Sequence, residues 1–571
     1  EENCSAKMLL LNTSPKELGL ELVRVLFVGL VIGILGGVAA NLFVLGVGEI
    51  DGLIREQMVG QSALSAGLIR WSALIAGAFG IYGLKQAFKM DRWHGPADAI
   101  LGAHRPDAPF PAREGFISTT AAFVSASAGA SVGQYGPVLH FGASVGAQVR
   151  ALFPTRLTPD IYVACGVAAA ISAGFGAPIA AVVLVSEAIL RHFAVRAVAP
   201  ITVSAIVATA VTPLFFDRVS PYSVTASPTD WGLIPVVLGL GACAALLAIV
   251  FMRSLLRTAA WAKSLNNELA MLLLAATLMA LIGMLVPEAV GLGTQSVNDL
   301  LAGEKLVGEA ALMLVAKLVA TVICIGLGLV GGVFSPALFL GASLGYLAGF
   351  VAVGLGFDPS AVVMLTVVGM AAVAGSVIGA PIGVVLIVFE FTRSYEFAVA
   401  AILAVSMSSF ISTRLFCYSF FDRQLIARGF DLRQGREFLS LKDITVADLD
   451  VEVVESVTEG MTGEDLVAHL RASHRTEAYV VNPQGTLTGV VPILTALANP
   501  DLTASALIED DYLVLNLSDD LQQALGIARR FVGEAIPVVD EAGALVGCLS
   551  EGAILGGTLD RQEEVKGRER N

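Results

Sequence analysis

Charged residues are scarce: Asp, Glu, Lys and Arg make up only 15% of the 571 residues, while 56% are hydrophobic. With a mean hydropathy of +0.77, that excludes a water-soluble globular chain, because no core of this length has room for so much apolar surface. A bilayer must solvate most of it. Cysteine is also sparse, and Cys4, Cys165, Cys243, Cys324, Cys417 and Cys548 are scattered without a close pair. Neither a disulfide framework nor a metal site follows from such spacing. A basic surplus is lacking too, since 35 Lys and Arg stand against 49 Asp and Glu, so nucleic acid is not an expected partner. The acidity gathers after residue 440, as on a solvated domain surface. No nucleophile–base pair, metal cluster or phosphate loop is visible, and no enzymatic activity is expected. The first residues, Glu1, Glu2 and Asn3, do not read as a secretory signal.

What is present is a series of apolar runs near the ~20 residues that a spanning helix needs. Leu20–Leu45, Val236–Met252, Ala310–Leu329 and Ala398–Phe410 are clear cases. Others, such as Gly129–Val149 and Gly326–Gly345, are interrupted by glycine and proline, which predicts broken helices enclosed by protein. Two ordered blocks recur. Pro137–Gly146 and Pro336–Gly345 both read P-x-x-x-x-G-A-S-x-G, 199 residues apart. Gly166–Glu187 and Gly369–Glu390 follow at an offset of 203, each carrying a Gly-Ala-Pro step and closing on glutamate. This is the pattern of a duplicated membrane half, in which helix ends meet near the midplane and form the substrate site. The remaining glycines in these blocks read as close-packing positions.

Hydropathy falls after Phe416, and the arginine-bearing stretch from Arg423 to Glu437 marks a cytoplasmic exit. Two similar α/β units follow. Each has an amphipathic helix, near Glu464–Ser473 or Asp520–Phe531, and then a strand–turn–strand, at Glu477–Val491 or Glu534–Leu549.

The paired units resemble a tandem of cystathionine-β-synthase (CBS) domains, and the membrane part resembles the CLC family of chloride channels and chloride/proton exchangers. Three family signatures supply the anion pathway. G-x-F-x-P is intact as Gly332-Val333-Phe334-Ser335-Pro336; G-R/K-E-G-P is recognisable as Gly133-Gln134-Tyr135-Gly136-Pro137; G-S/H-G-I/V-P survives loosely as Trp93-His94-Gly95-Pro96-Ala97. The resemblance implies an all-α polytopic membrane domain of two inverted repeats with broken helices, followed by a small α/β CBS tandem. The corresponding divisions are an N-terminal segment (1–17), the membrane domain (18–430), a linker (431–445), CBS units at 446–498 and 499–558, and a polar tail (559–571). It further implies a homodimer with one pore per subunit, in a bacterial inner membrane.

The chemistry behind the signatures is general. Helix N-termini offer N–H groups and about half a positive charge each, glycine lets the backbone approach an ion, and proline suits the first turn. Tyr135, Gly136, Val333 and Phe334 are therefore expected as backbone donors, on turns shaped by Gly95, Gly133, Pro137, Gly332 and Pro336. His94 either faces the ion or caps a helix. Phe421 takes the place of the inner-site tyrosine that the family uses.

Two departures bear on mechanism. The family's gating glutamate is Tyr135 here, and a phenol with a reference pKa near 10 stays neutral and cannot displace an anion. The exchangers' internal proton glutamate is Ala188. Glu187 and Glu390 remain, and their repeat symmetry favours a structural role. The expected activity is passive, voltage- or ligand-modulated permeation of chloride or a similar small anion such as bicarbonate, nitrate or fluoride, with Tyr135 as gate or as a packed plug. The alternatives are a proton-coupled exchanger using Glu114 or Glu187, and a membrane-anchored sensor with an inactive pore. The CBS aspartate that holds a nucleotide ribose is missing from both units, with Pro492 and Ala553 near the two positions, so no cofactor is expected and an adenine nucleotide is disfavoured.

Overall fold

The computed structural model describes residues 15–105, 108–155, 157–193, 195–216, 222, 224, 231–509 and 511–570. The chain divides into two compact units, one ending at Gly429 and the other starting at Phe430.

Among the described residues of the first unit, nine helical segments are long and apolar enough to cross a membrane. Its helices are α1 (Pro15–Met58), α2 (Ala63–Ala87), α3 (Pro96–His104), α4 (Ala112–Ser127), α5 (Tyr135–Leu152), α6 (Pro159–Phe175), α7 (Pro178–Leu184), α8 (Val195–Phe215), α9 (Ile234–Ser264), α10 (Glu268–Leu285), α11 (Thr294–Leu301), α12 (Val307–Gly326), α13 (Phe334–Gly354), α14 (Ala361–Ile378), α15 (Pro381–Thr392), α16 (Tyr395–Leu415) and α17 (Phe420–Ile426). A π-helical turn, Val185–Leu190, continues α7. The sequence repeat is a repeat of elements: α4 to α8 recur as α12 to α16. The interrupted runs break where expected, just before α5 and α13.

Small residues determine how the repeats pack. Gly142 of α5 lies against the carbonyl of Gly166 in α6, and Gly341 of α13 against that of Gly369 in α14. A side chain at any of the four would push the helices apart. α6 and α14 are buried along nearly their whole length, and lipid-facing leucines and valines lie on the outer helices, including Leu22, Leu42, Leu281 and Leu312.

The second unit holds two three-stranded sheets, β1 (Val457–Thr458), β2 (Glu477–Val481) and β3 (Leu487–Pro492), then β4 (Leu515–Asn516), β5 (Ile536–Val539) and β6 (Leu545–Leu549). In each, the first strand pairs parallel with the second and the second antiparallel with the third. The amphipathic helices are α18 (Gly463–Ala472) and α19 (Leu521–Ala528). β1 and β4 were not expected; at two residues each they are too short to show alternation.

One boundary needs correction. Val446, expected to open the first CBS unit, packs in the core of the second with Leu441, Leu515 and Ile536, because the incoming chain bonds across to Asp520 and Cys548. The polar 559–571 segment continues the helix α20 (Glu551–Arg570) through residue 570.

Candidate functional site

The two signature loops of the repeat meet backbone to backbone. Gly133 N–H donates to the Gly332 carbonyl and Gly332 N–H to the Gly133 carbonyl, both at 2.7 Å. A Cβ on Gly133 would stand 2.7 Å from the Gly332 oxygen, and one on Gly332 only 2.9 Å from the Gly136 nitrogen. Only glycine fits at these positions. The bridge brings the N-termini of α5 and α13 to one place. The first N–H groups of an α-helix have no carbonyl partner within it, so Gly136, Val333 and Phe334 present donors there, backed by two helix dipoles. Pro137 and Pro336 occupy the third position of these helices, where a missing N–H leaves no broken bond.

Tyr135 opens α5 and is only 6% exposed. Its ring stacks on Phe175 at 3.9 Å between centroids and meets Phe334 edge-on at 5.8 Å; Phe175 and Phe334 lie 5.1 Å apart. It rests on Gly174, where a Cβ would come within 3.1 Å of the ring. Tyr222 is buried within electrostatic reach of the phenol. Sequence reasoning did not single out Phe175. It immediately precedes the Gly176-Ala177-Pro178 step, but nothing in that position announces Tyr135 as its partner.

At the start of α3, His94 donates its backbone N–H to Ser118 Oγ at 2.9 Å, and its Nδ1 stands 3.7 Å from Asp98 Oδ1. The helix is capped by Asp98, which accepts the Gly95 N–H at 2.9 Å, so the reading of His94 as the cap is set aside. Asp98 also takes Arg92 at 2.5 and 3.1 Å and Arg428 at 2.9 Å. The capping pattern Gly95-x-x-Asp98 was there to be read. A cavity of about 530 Å³ opens beside His94, lined among others by Lys89, Asp91, Arg92, Arg113 and Glu114. Cationic groups outnumber carboxylates in that group, which suits an anion mouth. His140 lies fully buried behind it, with its ring 6.2 Å from that of His94. Phe421 is buried in the first turn of α17 against Phe420, and α17 packs on α3.

Glu187 and Glu390 cap helices across the repeat. Glu187 accepts the N–H groups of Ile382 and Gly383 at 3.2 and 2.8 Å. Glu390 accepts those of Ile179 and Ala180 at 3.1 and 2.7 Å. Each carboxylate closes the N-terminus of the other repeat's Gly-Ala-Pro helix. Ala188, beside Glu187, is buried at 6% exposure.

In the second unit a cleft of about 220 Å³ is lined by Glu477, Glu509, Asp511, Tyr512, Arg530 and Phe531, among others. Burial raises the pKa of Glu477, and the nearby carboxylates of Glu534 and Glu509 raise it further. Among the described residues no group of His, Cys, Asp and Glu is arranged to hold a metal ion.

The voltage gated chloride channel family model matches residues 72–413. A ClcB-like chloride channel protein of Ralstonia nicotianae is 31% identical over 341 residues, covering 58% of this chain and 78% of its own length. The crystal structure of a slow cyanobacterial Cl⁻/H⁺ antiporter superposes with a TM-score of 0.62 at 21% identity, over 71% of this chain and 98% of that one. A eukaryotic CLC transporter superposes with the same TM-score of 0.62 at 19% identity, over 93% of this chain and 98% of that one. The last likeness runs into the paired α/β units; both structural likenesses speak to fold.

Proposed function

The chain belongs to the voltage gated chloride channel (CLC) family, and on that premise we propose that it lets chloride or a similar small anion cross the membrane passively. The observation that carries this reading is Tyr135, packed between Phe175 and Phe334 at the helix start where the exchangers of the family place a carboxylate. A neutral phenol can donate to an anion but cannot take its place. Ala188 removes the second acid, and Glu187, held by two backbone N–H groups, is not free to shuttle a proton. The anion is held by amide dipoles at the meeting of α5 and α13, with His94 and the cationic cavity on one side of it. Tyr135 with its two phenylalanines forms the constriction. The arginine-bearing exit segment supports a cytoplasmic C-terminal unit; on this reading the membrane is a bacterial inner membrane and the protein works as a homodimer. In the tandem, three carboxylates line the cleft, which disfavours the phosphates of an adenine nucleotide, so it acts through packing and dimer contacts.

Purified protein in liposomes tests this. A chloride gradient should drive chloride efflux that dissipates with voltage and moves no protons. Stoichiometric proton movement against its gradient would replace this reading with exchange, for which Glu114, beside His94 in the inner cavity, is the available acid. No efflux from folded protein would leave a sensor with a closed pore.

A further inference from the structure

We propose that the notch between α1, α2 and α10 binds the carboxylate of a single-chain fatty acid. Three spans end here together: α1 closes at Met58, α2 opens at Ala63 and α10 closes at Leu285. The notch therefore lies at the depth of the membrane–water interface. Its volume is about 220 Å³, and its walls include Arg55, Arg70, Met58, Met284, Pro287 and Val290. Leu64 and Leu285, 65% and 81% exposed, extend the apolar wall outward, where an acyl chain would continue into lipid.

The charge at its base is unbalanced. Asp51 is shared between Arg55 Nε at 2.7 Å and Arg70 Nη1 at 2.6 Å, so two guanidinium groups face one carboxylate. Glu288, on the adjoining turn, is taken by Lys305 at 3.2 Å. Arg70 is 4% exposed, and its Nε has no hydrogen-bond partner. One net positive charge, presented by planar forks at interfacial depth and walled by methionine and valine, fits a monoanionic planar head with an apolar tail.

The site also touches the pore. Arg70 Nη1 reaches the Ala128 carbonyl at 3.4 Å and packs under Gly129, whose positive φ of 93° admits no side chain there. Gly129 accepts the Gly291 N–H at 3.0 Å, and Gly133 follows four residues on. A carboxylate that draws on Arg70 acts on the loop that shapes the anion site.

The experiment is saturable binding of radiolabelled oleate to the full-length protein in neutral detergent, with unlabelled oleyl alcohol and phosphatidylglycerol as competitors. Arg55→Gln, at an exposed position, should weaken oleate about tenfold, the loss expected for one charge-assisted pair. Ala66→Leu, which fills the notch from the lipid-facing side, should abolish binding, and oleyl alcohol should not compete. Oleate should change chloride flux in the unmodified protein and leave Ala66→Leu unaffected. Equal oleate binding in all three proteins, or equal competition by the alcohol, would overturn the proposal, as would tighter binding of phosphatidylglycerol than of oleate. Binding is read without flux, so a negative result here leaves the permeation reading intact.

Discussion

Tyr135 and Phe175 stack face to face with ring centroids 3.9 Å apart, one from the first turn of α5 and the other from the last turn of α6. The contact places a neutral, immobilised ring beside the meeting point of two helix N-termini. A glutamate there would swing and compete for the positive ends; a stacked phenol is held by its neighbours, and its edge-on contact with Phe334 at 5.8 Å is of the kind worth about 0.5–1.5 kcal/mol beyond area burial.

Tyr135→Glu should therefore bring pH-dependent block. At pH 7.5 an ionised carboxylate would occupy the anion's place and suppress efflux from chloride-loaded liposomes by about tenfold or more. Below the carboxylate range, protonation would relieve the block. Flux that stays level between pH 4.5 and pH 7.5 in this variant would remove Tyr135 from the conduction path.

Gly133→Ala should damage both fold and site. The new methyl would fall 2.7 Å from the Gly332 oxygen, so the paired hydrogen bonds must open or the loops must separate. A destabilisation of about 2–4 kcal/mol is expected, together with loss of bromide anomalous density beside Gly136. Gly239→Ala, where nothing lies within 4 Å, should leave thermal unfolding and bromide binding unchanged.

Much of this site was legible in the sequence because glycine and proline at fixed spacing report backbone geometry directly. The two P-x-x-x-x-G-A-S-x-G blocks marked α5 and α13, and the nearly equal offsets of 199 and 203 residues for the two pairs of blocks marked the duplication. The partners of the signature residues were not legible. Phe175 reaches Tyr135 only because α6 returns alongside α5, and Arg428 finds Asp98 from 330 positions away; neither pairing has a local pattern. The same reason explains the misplaced boundary at 446, where a short segment leaves its own unit to pack in the next.

Glu187→Gln and Glu390→Gln test whether the intramembrane acids are caps or proton carriers. A glutamine oxygen can accept one of the two N–H groups but brings no charge, so each variant should lower stability by about 1–2 kcal/mol. Chloride flux per folded protein should be unchanged and proton flux should remain absent. A pH dependence present in the unmodified protein and lost in Glu187→Gln would make that residue a proton station after all.

Glu477 offers a test in the C-terminal unit with a defined sign. Burial, helped by the charges of Glu534 and Glu509, raises its pKa above the ordinary glutamate value, so the folded unit holds this proton more tightly than the unfolded chain. The contribution to stability is present below the unfolded value and is lost as pH rises through the folded one. At neutral pH Glu477 is thus a standing repulsion, and Glu477→Gln should slow hydrogen exchange in β2 and β3 of the full-length protein at pH 7 while changing little at pH 4. Glu477, Glu509 and Asp511, which line the cleft, repel phosphate, so AMP and ATP should give no binding heat with the unmodified protein. Saturable binding of either would mean that the nucleotide reaches the cleft without facing Glu477, Glu509 and Asp511.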